Sequence, residues 1–229
     1  TCALPIWKLV QLSVFGCLED EGAESWTCFL VERGMPGFSV GRQERKMGQR
    51  AADASELIFE DVFIPEKNRI GPERAGWAVN RGVLNASRPV VGAIALGIGR
   101  GAFDRCLEFC RATRAGGGML VERQEVQLEL AAMMTKLAAA RALCWQGVAR
   151  GMRPMAGASS EAKVFGSDTA VEVCERAMEL MGDHGCLHLH GIEKALRDAR
   201  LTQIYEGTNQ INLLGIVEDF WNGDFRPKV

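Results

Sequence analysis

Gly76 to Ala112 reads GWAVNRGVLNASRPVVGAIALGIGRGAFDRCLEFCRA, and its texture decides the fold. From Gly76 onward Ala, Leu, Met, Glu and Arg dominate, and apolar residues recur at intervals of three and four. Val91, Ile94, Ile98, Ala102 and Leu107 form a stripe along one long helix of about 76–112, interrupted or entered afresh near Pro89. The Gly-rich AGGGM (115–119) closes it. A second helix is expected over about 122–151, with Val126, Leu130, Met133, Leu137, Ala140, Cys144 and Val148 inward and Gly151 before Pro154 as its stop. GASSEA (157–162) reads as the N-cap of a third helix of about 159–181, carrying Val164, Phe165, Val171, Cys174 and Met178 and broken by MGDHG (181–185). A last helix is expected from near Gly207 to about 221. Four long helices with short connections make an antiparallel four-helix bundle over 75–222 the economical arrangement.

Upstream the period changes to two. Leu12 and Val14 alternate with Gln11 and Ser13, CFLVE (28–32) runs into the turn RGMPG (33–37), FSVGRQ (38–43) follows, and ELIFEDVFIP (56–65) reads as a strand stopped by Pro65. Residues 1–70 are therefore expected to form a sheet or partial β-barrel. The class is α+β.

Composition narrows the partners. With 47% hydrophobic and 24% charged residues the chain belongs to the ordinary globular class. Lys and Arg number 27 against 29 Asp and Glu, which gives no electrostatic reason to expect nucleic acid. No apolar run approaches the ~20 residues of a bilayer span, and TCALPIWKLV (1–10) lacks the features of a signal peptide. The eight cysteines, Cys2, Cys17, Cys28, Cys106, Cys110, Cys144, Cys174 and Cys186, form no C-x-x-C pair, which fits a reducing interior.

RDARLTQIYEGTNQI (197–211) is the most specific stretch of the chain. Together with MPGFSVGRQERKMGQRAADASELIFEDVFIPEKNRIG (35–71) and NASRPVVGAIALGIG (85–99), it resembles the acyl-CoA dehydrogenases, the medium- and short-chain branches above all, over about residues 26–217. The resemblance implies the end of a strand-rich middle domain followed by a C-terminal helical bundle. In whole enzymes of that family a further helical domain precedes the part matched. It also implies FAD as cofactor, an acyl-CoA substrate, an electron-transfer flavoprotein as electron acceptor, a homotetramer or homodimer, and a cytoplasmic or mitochondrial-matrix setting.

Desaturating a thioester takes a proton from the α-carbon while a hydride leaves the β-carbon for a flavin, so one base must face the flavin across the acyl chain. By the resemblance that base is Glu206. A carboxylate shielded from water has its charged form destabilised and becomes a stronger base. Gly207 allows close backbone approach by the substrate, and the family uses the backbone N–H at the base position to polarise the thioester carbonyl. Thr208 and Gln210 match flavin-contacting positions, as does Gln124. Arg88 matches an Arg near the CoA-thioester end, with Asn85 in place of its usual acidic partner. Tyr205, the only tyrosine in the chain, adjoins the base.

Other positions depart from the family pattern. The Arg-x-x-Phe-Gly after the first bundle helix, whose Arg meets the phosphates of a flavin held by a neighbouring subunit, aligns with TRAGG (113–117). Thr113 replaces the Arg, and Arg114 or Arg111 is left to serve in its place. The Gln-x-x-Gly-Gly-x-Gly motif appears as ELMGDHG (179–185), keeping Gly182 and Gly185 but placing Glu179 and Asp183 where added negative charge opposes a diphosphate. Ala52 stands for a substrate-contacting Ser. These changes favour an alternative, a non-catalytic dehydrogenase-like assembly subunit, while the intact Glu206, Thr208 and Gln210 oppose it. An acyl-CoA oxidase shares the first half-reaction.

Three further patterns have plainer readings. GIGRGA (97–102) fits a G-x-G-x-x-A dinucleotide signature, yet no strand precedes it, so close helix packing is expected. His184, His188 and His190 lie on a loop with no fourth ligand and read as surface residues. Cys106 and Cys110, at i and i+4, read as a buried thiol pair. By itself, YEG would merely place Glu206 at the positive end of a helix.

Overall fold

The computed structural model describes residues 11–16, by their backbone, together with 26–149 and 156–221. The chain divides into two compact units, one ending at Val83 and one beginning at Leu84.

In the first unit β1 (Gln11–Gly16), β2 (Thr27–Glu32) and the short β5 (Arg69–Ile70) form an antiparallel sheet in the order β1-β2-β5. β3 (Phe38–Gln43) pairs separately with β4 (Ser55–Phe59), and Phe38 stacks on Phe59 with ring centroids 5.0 Å apart. These are small sheets. No barrel closes among the described residues. The strand expected over 56–65 ends at Phe59, because the backbone turns through a left-handed Asp61 at φ 50°. Buried Asn68 donates to the Leu30 carbonyl at 3.0 Å and fastens the return to β5.

The helical part begins with α1 (Gly76–Ala112), continuous through Pro89. Arg114–Ala115 (β6) and Gly118–Met119 (β7) then pair as a tight hairpin where the Gly-rich turn was expected. α2 (Gln124–Ala149) and α3 (Ala156–Met181) follow, and the Gly151 and Pro154 stop expected between them lies outside the described residues. Ser159 and Ser160 do not cap α3 as anticipated. Both lie inside it and are fully buried.

The second unit has five helices among the described residues, not the four expected. The additional one is α4 (Ile192–Thr202), which precedes α5 (Asn209–Trp221). α4 buries Ile192, Ala195 and Ala199 at three- and four-residue spacing, and its charges pair along its surface as Glu193–Arg197 and Lys194–Asp198. That stripe is short, since the helix has only 11 residues.

α3 is the hub of the unit, in contact with α2, α4 and α5. It meets α1 backbone to backbone. A Cβ on Gly92 would stand 2.6 Å from the Ala162 carbonyl oxygen, and one on Gly166 3.0 Å from the Gly92 Cα. Within GIGRGA only Gly99 makes such a contact, 3.1 Å from the Ala170 Cα, which is the helix packing expected of it. The core beside this crossing comprises Ala95, Phe103, Met133, Leu137, Val173 and Cys174, among others. Cys106 and Cys110 are free and buried, and burial first, then the neighbouring Cys110, pushes the Cys106 thiol up to about 12.

Among the described residues α1 alone is long and apolar enough to cross a membrane by length and composition. Its Val91, Ala95, Ala102 and Phe103 are core residues of the unit instead.

Candidate active site

The Gly92–Gly166 crossing sets Arg88, one turn earlier on α1, beside Lys163, one turn earlier on α3. Both reach the connection between α4 and α5, which contains the IYEGTNQI stretch. That connection is tightly bonded. Ile204 and Tyr205 donate to the Leu201 carbonyl at 2.9 and 3.2 Å, and Asn209 donates back to the Gln203 carbonyl at 3.0 Å. At its apex Glu206 has φ 58° and Gly207 φ 87°, two successive residues in the left-handed region. Gly207 adopts this without a steric penalty, whereas Glu206, having a side chain, does so at a cost of about 1–3 kcal/mol. Such strain persists only where surrounding bonds over-determine the backbone.

Those bonds come from three helices. Ser87 of α1 donates from Oγ to the Glu206 Oε2 at 2.6 Å, and Arg88 Nε approaches the Glu206 carbonyl oxygen at 3.4 Å. The Arg88 guanidinium also reaches Asn85 Oδ1 at 3.2 Å and Ser160 Oγ at 3.3 Å, so Asn85 serves it as an uncharged acceptor. From α3, Lys163 Nζ donates to the Gly207 carbonyl at 2.8 Å and to Asn209 Oδ1 at 2.6 Å. Asn212 of α5 donates to the Gly207 and Thr208 carbonyls at 2.9 and 3.0 Å. Asn209 Nδ2 in turn donates to Ser167 Oγ at 2.9 Å and Asp168 Oδ1 at 2.7 Å.

Lys163 is fully buried, and burial is the chief cause that drives its pKa down from 10.5 to about 8. Asp168 opposes the shift, Arg88 adds to it, and Glu206 opposes it.

The residues anticipated from sequence fall into two groups. Glu206, Gly207, half-buried Tyr205, half-buried Thr208 and exposed Gln210 are contiguous, and α1 delivers Arg88 to them. Thr208 Oγ1 also accepts from the Ile211 amide at 3.4 Å, capping α5. Arg114, Gln124, Gly182 and Gly185 lie instead at the far end of α1. Arg114 is exposed on the hairpin and Gln124 exposed at the head of α2. The loop bearing Gly182 and Gly185 packs there through His184, whose ring lies 5.1 Å from that of Phe109. Gly185 has a packing reason of its own, since a Cβ would stand 2.7 Å from the Met178 Cα. His184 and His190 approach each other at 3.3 Å, while His188 turns to Glu193 at 2.6 Å.

Ser87, Lys163, Ser167, Asn209 and Asn212 were not anticipated. A signal for Lys163 existed, because it occupies the same inward stripe of α3 as Ser160, Ser167, Ala170 and Cys174.

Fold and site together define a helical domain that presents one carboxylate on a strained loop, flanked by a guanidinium and a buried ammonium, as a general base would be presented. Residues 74–220 match the family model described as "Acyl-CoA dehydrogenase, C-terminal domain". The chain belongs to the acyl-CoA dehydrogenase family. It is 37% identical over 210 residues to a cyclohexane-1-carbonyl-CoA dehydrogenase of Geobacter metallireducens, covering 90% of this chain and 55% of that protein. It is 36% identical over 197 residues to an acyl-CoA dehydrogenase of Bacillus subtilis, covering 85% and 52%. Among solved structures, butyryl-CoA dehydrogenase from Megasphaera elsdenii superposes with a TM-score of 0.89 at 32% identity, covering 91% of this chain and 55% of that one. The chain thus spans about half the length of the curated relatives it matches.

Proposed function

We propose that the enzyme to which this stretch belongs desaturates an acyl-CoA thioester to the trans-2-enoyl-CoA, with Glu206 removing the α-proton. The observation that carries this reading is the Glu206 loop, a left-handed carboxylate residue bonded from α1, α3 and α5. Strain at a residue with titratable chemistry, retained by surrounding bonds, is the mark of a preorganised site. The proton passes from the substrate Cα to a Glu206 carboxylate oxygen while the backbone N–H of Glu206 polarises the thioester carbonyl. Gly207 leaves room for the thioester, and Tyr205 and Arg88 line the approach, with Arg88 toward the CoA end.

FAD, when bound, supplies the acceptor for the hydride leaving Cβ. Thr208 and Gln210 would hold it beside the base. Arg114, Gln124, Gly182 and Gly185 would meet its phosphate end in a second subunit. The donor chemistry fits. Arg114 and Gln124 are exposed donors, and the Glu179 carboxylate is matched by Arg176 on the same helix face. That pairing weakens the objection from added negative charge, and with it the reading as a non-catalytic subunit. The two groups stand roughly 35 Å apart along α1, too far for one bound dinucleotide to touch both in a single chain. A dimer or tetramer would bring them together, and an electron-transfer flavoprotein would take the electrons onward.

The test is the flavin spectrum of the full-length enzyme under anaerobic conditions. A short or medium acyl-CoA is expected to bleach the flavin, and Glu206→Gln to keep the flavin but lose the bleaching. Undiminished bleaching in that variant removes Glu206 from its role. Absence of bound flavin in the full-length enzyme sinks the enzymatic reading.

A further inference from the structure

Lys163 is among the largest fully buried side chains described, and it is charged. Taking an ammonium out of water is costly unless every donor finds an acceptor. An aliphatic side chain of similar volume would fill the same place in α3 without that cost. What the ammonium alone does is bind two oxygens of one loop, the Gly207 carbonyl at 2.8 Å and Asn209 Oδ1 at 2.6 Å.

Those two acceptors bracket the segment that follows the strained residue. Gly207, at φ 87°, is the second of the two left-handed residues, and its carbonyl, part of the Gly207–Thr208 peptide, sets the direction in which the chain leaves the turn. Asn209 is the first residue of α5, and its side chain is held from the other side by Ser167 and Asp168 of α3. The loop is therefore clamped from α3 in addition to its own backbone bonds and the Asn212 amide of α5. Ser87 and Arg88 hold Glu206 only from the α1 side.

We propose that Lys163 is a positioning residue for the Glu206 base, its buried ammonium clamping Gly207 and Asn209 so that the left-handed Glu206–Gly207 backbone is kept. This rests on the reading of Glu206 as the base, but the clamp is a property of the loop and is measurable without turnover. The charged groups facing Lys163 are Arg88 of α1, Asp168 of α3 and Glu206 of the loop. Burial sets its deprotonation near pH 8, so the clamp weakens as pH rises through that value.

The experiment compares wild-type full-length enzyme with Lys163→Met and Lys163→Gln. Amide hydrogen exchange is followed in the peptide spanning 203–211, and flavin bleaching by an acyl-CoA is measured from neutral to alkaline pH. In Lys163→Met the loop is expected to lose about tenfold or more in protection while peptides from α1 and α2 are unchanged. Bleaching should slow by a similar factor and lose any alkaline limb near pH 8. Lys163→Gln, which keeps a donor without the charge, should recover part of the loop protection but not the pH dependence. Wild-type protection in the loop of Lys163→Met overturns the proposal, whatever the activity. So does a fold or flavin content lost in both variants, which would make Lys163 a folding residue. Failure of the wild type to bleach would count against acyl-CoA desaturation, on which the role of Glu206 rests, and leave the exchange comparison to decide the clamp.

Discussion

A hydroxyl, that of Ser87, donates to the Glu206 carboxylate at 2.6 Å. A hydrogen bond to a charged group contributes about 1.5–3 kcal/mol, enough to choose one carboxylate rotamer over its alternatives. Ser87→Ala should therefore lower kcat roughly tenfold with KM little changed, since geometry at the reacting atom is lost while substrate contacts elsewhere remain. Steady-state kinetics of the full-length enzyme check it, and an equal rise in KM would mean that Ser87 binds substrate instead. Lys163 makes a second prediction, about stability. Unfolded, it holds its proton up to about 10.5; buried, only to about 8. Between those values the unfolded chain binds more protons, so this residue's contribution to stability rises with pH, is complete above 10.5 and is lost as pH falls through 8. The difference in unfolding free energy between wild type and Lys163→Met should move in favour of wild type across that window. Buried Cys106 and Cys174, whose thiols are pushed up to about 12, act oppositely above 9 but equally in both proteins. A difference that is flat with pH would contradict the shift. The sequence announced Glu206 through IYEGTNQI but not Ser87, because a serine in a helical stretch has no local signature, and it marked Lys163 only by its place on the inward stripe of α3. Their roles arise only when the helices cross.

That crossing belongs to the scale of elements. α1 and α3 approach until Gly92 and Gly166 touch, and this spacing lets side chains one turn away reach the same loop. A methyl at Gly166 would lie 3.0 Å from the Gly92 Cα and would have to push backbone apart. Gly166→Ala should cost about 1–3 kcal/mol in denaturant unfolding, against the usual gain of alanine in a helix. Gly97→Ala on the same α1 is the control. Nothing lies within 4 Å of the place its methyl would take, so about 0.5–1 kcal/mol of helix propensity should be gained. Equal effects at the two sites would mean that the crossing is not tight. The long helices were legible because each carries an apolar stripe over many turns, as Val126, Leu130, Met133 and Leu137 do in α2. α4 was not, since it has only 11 residues and its inward positions are mostly small. The strand pattern was legible as far as Phe59 and failed beyond it. Val62 and Ile64 alternate again, but one residue out of phase with Leu57 and Phe59, because Asp61 has already turned the backbone out of the ladder.

At the scale of the whole molecule α5 is inverted. Its polar inward positions are Asn209, Asn212 and Asp219, which hold the Glu206 loop and the Gly157 amide. Most of its outward positions are apolar: beside Gln210 and Glu218 it exposes Ile211, Leu213, Leu214 and Phe220, with Leu214 66% and Trp221 78% exposed. A helix that faces its own core with amides and faces outward with leucines and a tryptophan is built to be covered on that outer side. In the proposed enzyme the cover is another copy, which also answers why the flavin-matching positions lie in two groups at opposite ends of α1. Assembly and cofactor retention should then fail together. Leu214→Glu in the full-length enzyme places a charge in the middle of the apolar face without touching the Asn209 and Asn212 bonds that hold Glu206. Light scattering should show a smaller particle, and the flavin content per chain should fall with it, while far-ultraviolet circular dichroism stays that of the wild type. An unchanged mass would exclude the α5 face from the subunit contact. A smaller particle that kept its full flavin would mean that one chain holds the cofactor alone, and Arg114, Gln124 and Gly182 would have to be released from the role given to them.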